Sequence, residues 1–271
     1  MFGIVNLTED SFSDGGRFLD PAAALAQTRA LLAAGADVVD LGAAASNVDA
    51  KPVSAGEEMR RLEPLLTALA ADGAAVSVDS FLPAVQRFAI ARGVAFLNDI
   101  EGFPDPAFYP ELAAANCGLV VMHAVQGRGR AQRIELSAAE VWDRIAAFFA
   151  ERVTALEQAG VARGRIVIDP GMGFFLSSRP EASLSVLSRL GELKRMFGLP
   201  VLVSVSRKSF LRAVAGHSSA AELGAATLAA ELYAAEQGAG FIRTHDAGAL
   251  CDGLRVTAAL RAAARPEPAT G

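Results

Sequence analysis

The sequence predicts an α/β fold, a single (β/α)8 TIM barrel, on three observations. A short apolar run, a polar loop, an Ala/Leu-rich helical stretch and a glycine recur in that order along the chain. The apolar runs are continuous rather than alternating, as parallel strands covered on both faces must be. The length, 271 residues, suits one barrel of about 250 residues, and no second zone of composition interrupts it.

The strands are expected at Phe2–Leu7, Asp37–Gly42, Ala75–Ser80, Ala95–Ile100, Leu119–His123, Arg165–Asp169, Val201–Ser206 and Gly240–His245. Between them, Asp20 with Pro21 reads as an N-cap followed by proline at the first helical position. Ser54 with Glu57, and Ser137 with Glu140, read as capping boxes. Gly35, Gly73, Gly93, Gly118, Gly160, Gly198 and Gly238 read as helix-ending glycines, each tolerating a left-handed backbone. An open doubly wound sheet is the competing architecture. It would place a GxGxxG turn after the first strand, and Asn6-Leu7-Thr8-Glu9-Asp10 is no such turn. The barrel is assigned to residues 1–264. The tail 265–271 lacks apolar periodicity and is expected to fray.

Composition narrows the partners. The net charge of −5 argues against nucleic acid, which demands a basic face. No apolar run reaches the roughly 18 residues of a membrane span, and no basic-then-apolar signal opens the chain. Cys117 and Cys251 lack metal-type spacing and read as reduced thiols of a cytoplasmic protein.

Barrel enzymes place their sites at the C-terminal ends of the strands. Those ends carry, in order, Asn6, Asp40, Asp79-Ser80, Asn98-Asp99, Met122-His123, Asp169-Pro170-Gly171, Ser206-Arg207-Lys208-Ser209 and Arg243-Thr244-His245-Asp246. Any one could be a satisfied structural group. As a set they point to a shared ligand site, because burying so many polar groups without a purpose is costly. Carboxylates and amides from strands three, four and six suit a flat nitrogen heterocycle rich in N–H. Arg207, Lys208, Arg243 and His245 suit an anion such as phosphate or pyrophosphate. His217 reads as an ordinary loop histidine.

Several stretches together resemble the dihydropteroate synthase family: Gly3–Gly16, Ser77–Ser80, Asn98–Ile100, Val121–His123, Asp169–Phe174, Ser206–Phe210 and Arg243–Asp246. They follow the family's order and span nearly the whole chain. The resemblance implies condensation of 6-hydroxymethyl-dihydropterin pyrophosphate with p-aminobenzoate, by way of a pterin cation trapped by the arylamine. It implies catalytic roles for Asp79, Lys208 and Asp14. The pterin would be held by Asp79, Asn98, Met122, Asp169, Lys208 and Arg243. The pyrophosphate would lie against Asn6, Arg243 and His245, with Asn6 also a ligand of Mg²⁺. Ser46, Phe174, Phe175, Arg207, Lys208 and Ser209 would border p-aminobenzoate. A homodimer is implied as well, with the Ala-rich helix 220–237 as a face.

Two loops depart from the common family pattern. After strand two the stretch reads Gly42-Ala43-Ala44-Ala45-Ser46-Asn47, so Ser46 stands where the family has a threonine and Asn47 where it has an arginine. After strand six it reads Gly173-Phe174-Phe175-Leu176-Ser177-Ser178-Arg179, about two residues longer than usual. Both changes are similar to the Sul-type, sulfonamide-insensitive branch. Phe174 with Phe175 would narrow the space beyond the p-aminobenzoate carboxylate and penalise a larger drug; the competing reading is that the two rings only pack the loop. Two other functions compete: a methyltransferase of the same pterin-binding barrel group, and a pterin-binding paralogue without turnover. The first would not need Ser206–Ser209 or Arg243–His245; the second would bind pterin and make no product.

Overall fold

The computed structural model describes residues 1–8, 20–46, 48 and 51–264. Asp14, Asn47 and the tail 265–271 lie outside the described residues. Eight parallel strands form the sheet: β1 (Phe2–Asn6), β2 (Val38–Gly42), β3 (Val76–Asp79), β4 (Phe96–Asp99), β5 (Gly118–Met122), β6 (Ile166–Asp169), β7 (Leu202–Val203) and β8 (Phe241–Thr244). Their order is β6-β5-β4-β3-β2-β1-β8-β7. A parallel bridge between Ile168 and Val201 joins the two ends, with Ile168 N donating to Pro200 O at 3.0 Å. The sheet is thereby closed, and the predicted barrel is the observed one.

Among the described residues ten α-helices lie outside it: α1 (Pro21–Ala33), α2 (Ala55–Ala71), α3 (Pro83–Ala91), α4 (Tyr109–Ala114), α5 (Ala138–Gln158), α6 (Pro180–Ser188), α7 (Leu190–Phe197), α8 (Ser209–Ala215), α9 (Gly224–Glu236) and α10 (Ala247–Ala263). Asp20 caps α1, with Pro21 at its first position. Ser137 and Glu140 form a reciprocal box on α5. Ser54 also caps α2, but its box is one-sided. Glu57 turns away to Arg60 and Arg61, where both partners carry charge, instead of accepting from the neutral backbone N–H of Ser54. Gly118 is not a helix cap. It opens β5 with an ordinary backbone, and a Cβ there would lie 2.4 Å from the Phe96 ring. The glycine is needed for close approach inside the barrel.

β7 is far shorter than the expected Val201–Ser206. After Val203 the chain leaves the ladder for a turn in which Lys208 N donates to Val205 O at 3.1 Å. Arg207 sits in that turn at a left-handed φ of 58°, uncommon for a residue with a Cβ. The turn lifts Lys208 and Ser209 to the start of α8.

Period-two alternation divides each strand. Val39, Leu41, Val76, Val78, Leu97 and Ile168 face the helices in the main core. The opposite residues fill the lumen. At the N-terminal end these are Phe2, Val38, Val120, Val167 and Leu202, with Phe96 and Phe241. Phe2, Phe96 and Phe241 stack edge to face, with centroids 5.1 to 6.1 Å apart. Two residues further along β4 and β8 the lumen residues become Asn98 and Arg243. The same alternation that builds an aromatic floor therefore builds a polar layer above it.

Candidate active site

Arg243 occupies the centre of the polar layer. Its Nε donates to Asp40 Oδ2 at 2.5 Å and its Nη2 to Asp79 Oδ2 at 2.8 Å. Asn98 Nδ2 donates to the same Asp40 oxygen at 3.2 Å. Strands β2, β3, β4 and β8 are thus tied at their C-terminal ends by one network. Its acceptors are not all used: Asp40 Oδ1, Asn98 Oδ1 and Ser204 Oγ are buried without a partner among the described residues. Buried polar atoms are normally paired, and two of these, on Asn98 and Ser204, belong to residues that line the central cavity, where a ligand's polar atoms could meet them.

These groups surround a central cavity of about 30 Å³ lined by Ser46, Asp79, Asn98, Asp169, Phe175 and Lys208 among others. Met122 and Arg243 also border it. A larger cavity of about 540 Å³ lies outside the lumen, between Phe81–Gln86 and Glu101–Phe108. Its lining mixes phenylalanine and proline with Gln86, Asp99, Glu101, Asp105 and Arg128, but it receives none of the lumen-facing polar residues, so the chemistry is assigned to the central one.

Burial sets the electrostatics. It pushes Asp79 up to about 7 against the pull of Arg243, with Asp40 and Glu58 adding to the rise. It pushes Asp169 up to about 6, opposed by the Gly171 N–H and the Lys208 and Arg243 charges. Asp169 Oδ1 accepts that N–H at 2.8 Å. Burial brings Lys208 down to about 8, helped by Arg243 and resisted by Asp169 and Asp79. Lys208 Nζ also lies 5.2 Å from the Phe175 ring centre, within cation–π range. The site therefore holds carboxylates and an ammonium that titrate near neutrality, as functional sites often do.

The remaining candidates fall around this centre. Asn6 ends β1 beside Gly42: a Cβ built on that glycine would meet Asn6 Oδ1 at 3.6 Å and Asp79 Oδ2 at 3.8 Å. Ser209 and Phe174 share a second, shallower cavity of about 270 Å³ with Arg212 and His217. The two phenylalanines thus part company, Phe175 facing the centre and Phe174 the outer cavity. Arg207 is half-buried, its N–H donating to Thr227 Oγ1 at 3.1 Å, and it lines neither cavity. His245 is bonded to Ser206.

Three rim residues point elsewhere. Asp99 is fully buried on the outer face of β4. Its oxygens accept from Gln86 Nε2 at 2.9 Å and from the Glu101 and Phe103 N–H groups at 2.7 and 3.1 Å. His123 holds Pro170 O at 3.2 Å through Nδ1, and burial lowers it to about 4. Thr244 also turns outward, where its hydroxyl accepts from Asp246 N at 3.1 Å. Conversely, the sequence offered Asp40 only as one of the strand-end set, with no individual role, and did not mark Ser204. Counting two residues back from each strand's last polar group would have found Ser204 below Ser206. Asp40 pairs with Ile4 and Ser77 one step below the rim.

A family model for pterin binding enzymes matches residues 2–245. The chain is 61% identical over 265 residues to the dihydropteroate synthase type-2 of Escherichia coli, covering 98% of this chain and 97% of that one. The chain belongs to the dihydropteroate synthases. Solved members share the fold. The Xanthomonas albilineans dihydropteroate synthase with 4-aminobenzoic acid superposes with a TM-score of 0.86 at 35% identity, over 98% of this chain and 93% of that one. The same organism's enzyme in complex with 7,8-dihydropteroate gives 0.83 at 34%, over 98% and 94%.

Proposed function

We propose that the chain condenses 6-hydroxymethyl-7,8-dihydropterin pyrophosphate with p-aminobenzoate, giving 7,8-dihydropteroate and pyrophosphate for folate biosynthesis. The observation that carries this reading is the acceptor-rich layer at the lumen's C-terminal end. Asp169 and Asn98 offer oxygens to a ring edge rich in N–H, and Lys208 offers an ammonium to a ring carbonyl. Met122 lies against the ring as an apolar wall. Asp79 is a fixed anion beside the exocyclic carbon where positive charge develops as the C–O bond to pyrophosphate breaks. One well-aimed group of this kind is worth about 3 kcal/mol in a dry site. The arylamine nitrogen then closes the new C–N bond and releases a proton.

Arg243 is held by two carboxylates through Nε and Nη2, which fixes its plane and leaves its other N–H groups for the pterin and the leaving group. His245 and Asn6 flank the pyrophosphate. Among the described residues no cluster of three or more His, Cys, Asp or Glu could cage a metal. Mg²⁺ keeps several waters and is commonly held by a few protein oxygens plus substrate phosphates. Asn6, at the end of β1 beside Gly42, offers one such oxygen through Oδ1. When bound there, Mg²⁺ would neutralise leaving-group charge. Asp14, outside the described residues, is assigned to the same step by family likeness alone.

Ser46, Lys208, Ser209 and Arg207 are assigned to p-aminobenzoate, with Phe175 bounding the inner side and Phe174 the outer. Phe174 carries Arg133 above its ring at 5.8 Å, and a wall so built would reject the extra substituent of a sulfonamide. We assign the chain to the cytoplasm as a homodimer. Tyr233 on α9 and Val256 and Leu260 on α10 are 38%, 58% and 66% exposed, an apolar strip on two packed helices that a second copy would cover. No helix of the described residues is long and apolar enough to cross a membrane.

Steady-state pyrophosphate release from both substrates, with and without a sulfonamide drug, tests the reading. Release that needs both substrates and ignores the drug is expected. Release blocked by the drug would overturn the role of Phe174 and Phe175, and pterin binding without release would mean a paralogue that has lost turnover.

A further inference from the structure

We propose that Ser206 is a positioning residue that holds the His245 imidazole in its Nε2–H tautomer, so that His245 offers one fixed N–H donor to a phosphate oxygen. The protons available at this pair decide the tautomer. Ser206 Oγ lies 2.8 Å from His245 Nδ1 and accepts the main-chain N–H of His245 at 3.2 Å. Ser206 is only 4% exposed, so its hydroxyl proton has little access to water. A hydroxyl donates once and accepts twice. If Nδ1 carried the proton, Oγ would accept from both His245 groups, and its own proton would face no acceptor among the described residues. A buried donor left so is costly. If Nδ1 is the acceptor, the pair is complete: N–H into Oγ, and O–H into Nδ1. The ring proton then resides on Nε2.

The alternative of an imidazolium is disfavoured on separate grounds. Burial first, then the charges of Arg207, Arg243 and Lys208, hold His245 well below the ordinary histidine range. A neutral imidazole gives a directional donor where further positive charge would be repelled. The pairing also explains why the chain leaves the sheet after Val203: the early exit brings the Ser206 side chain against His245 at the end of β8.

The tautomer does not depend on the proposed function, whereas its use on a phosphate rests on that reading, and the test separates the two. The chain has three histidines, so ¹⁵N labelling of histidine gives a sparse spectrum, with His245 identified by the signals lost in His245→Gln. In the wild type, Nδ1 is expected to be unprotonated and Nε2 protonated at neutral pH. In Ser206→Ala that preference collapses, and binding of inorganic pyrophosphate weakens about 5- to 10-fold, the loss of one hydrogen bond's orientation. The pterin pyrophosphate KM rises with it, while the p-aminobenzoate KM stays put. Ser206→Thr restores both, and Ser206→Cys, a weak donor of similar size, replaces the alanine variant if that one does not fold. A protonated Nδ1 in the wild type, or unchanged tautomer and pyrophosphate affinity in Ser206→Ala, would overturn the proposal. The expected tautomer in a wild-type chain that binds no pyrophosphate would overturn only its phosphate role.

Discussion

The floor and the upper layer of the lumen are built by the same strands in the same register, yet they differ in kind. Phe2, Phe96 and Phe241 at the floor satisfy one another by edge-to-face packing. Asp40, Asn98 and Ser204 above them keep buried atoms with no partner among the described residues. Both layers cost something to assemble, but only the floor recovers it within the chain. The upper layer is completed by a ligand, which is how a rigid fold comes to hold a reactive site.

The contrast predicts that substitutions in the two layers fail differently. Lys208→Ala is expected to lower kcat/KM about 1,000-fold while the melting temperature stays within a few degrees, checked by pyrophosphate release and calorimetry; a fully active variant would remove Lys208 from the chemistry. Phe96→Ala should do the reverse. It deletes a ring that packs against two others and is expected to cost about 3–5 kcal/mol of stability, read by urea titration. The protein that remains folded should keep its pterin affinity.

Asp99→Ala sharpens the comparison within one strand. Its neighbour Asn98 faces the lumen, whereas Asp99 braces the loop after β4 through three hydrogen bonds. Stability should fall by ~3 kcal/mol, since buried donors lose their acceptor, with kcat little changed in the folded fraction. A rise in pterin KM larger than about 10-fold, without a stability loss, would contradict the outward assignment.

A smaller effect is expected from pH. Asp79 must be ionised to stabilise a cation, and it titrates at about 7 in the free site. Lys208 must be protonated to serve as an ammonium, and it titrates at about 8. So kcat/KM should rise with pH through about 7 and decline beyond about 8, a narrow bell. Asp79→Asn should be slow and should lose the rising limb; an intact rising limb in that variant would assign it to another group.

Much of this was legible in the sequence because it depends on local pattern. Eight apolar runs separated by capped helices pointed to the barrel, and the strand ends in order pointed to many of the cavity's polar residues, though not to Ser204. Facing was less legible. Continuous apolar runs hide which residue of a pair such as Asn98-Asp99 points inward, and only the closed register decides it. The exit of β7 after Val203 was also hidden, since Val201–Ser206 is uniformly strand-like and the turn depends on Arg207 accepting a left-handed backbone. Gly118 misled for a related reason: a glycine after a helix resembles a cap, but this one makes room for Phe96.

On the proposed function, the polar layer of the lumen holds the pterin. Calorimetric titration of pterin pyrophosphate into the wild type and Asp169→Asn tests it most directly. Replacing one carboxylate oxygen with an amide turns an acceptor into a donor at the ring's N–H edge, so affinity should fall about 100-fold, in keeping with about 1–3 kcal/mol for a buried group left unpaired. Equal affinity in the two proteins would place the pterin elsewhere and contradict the account.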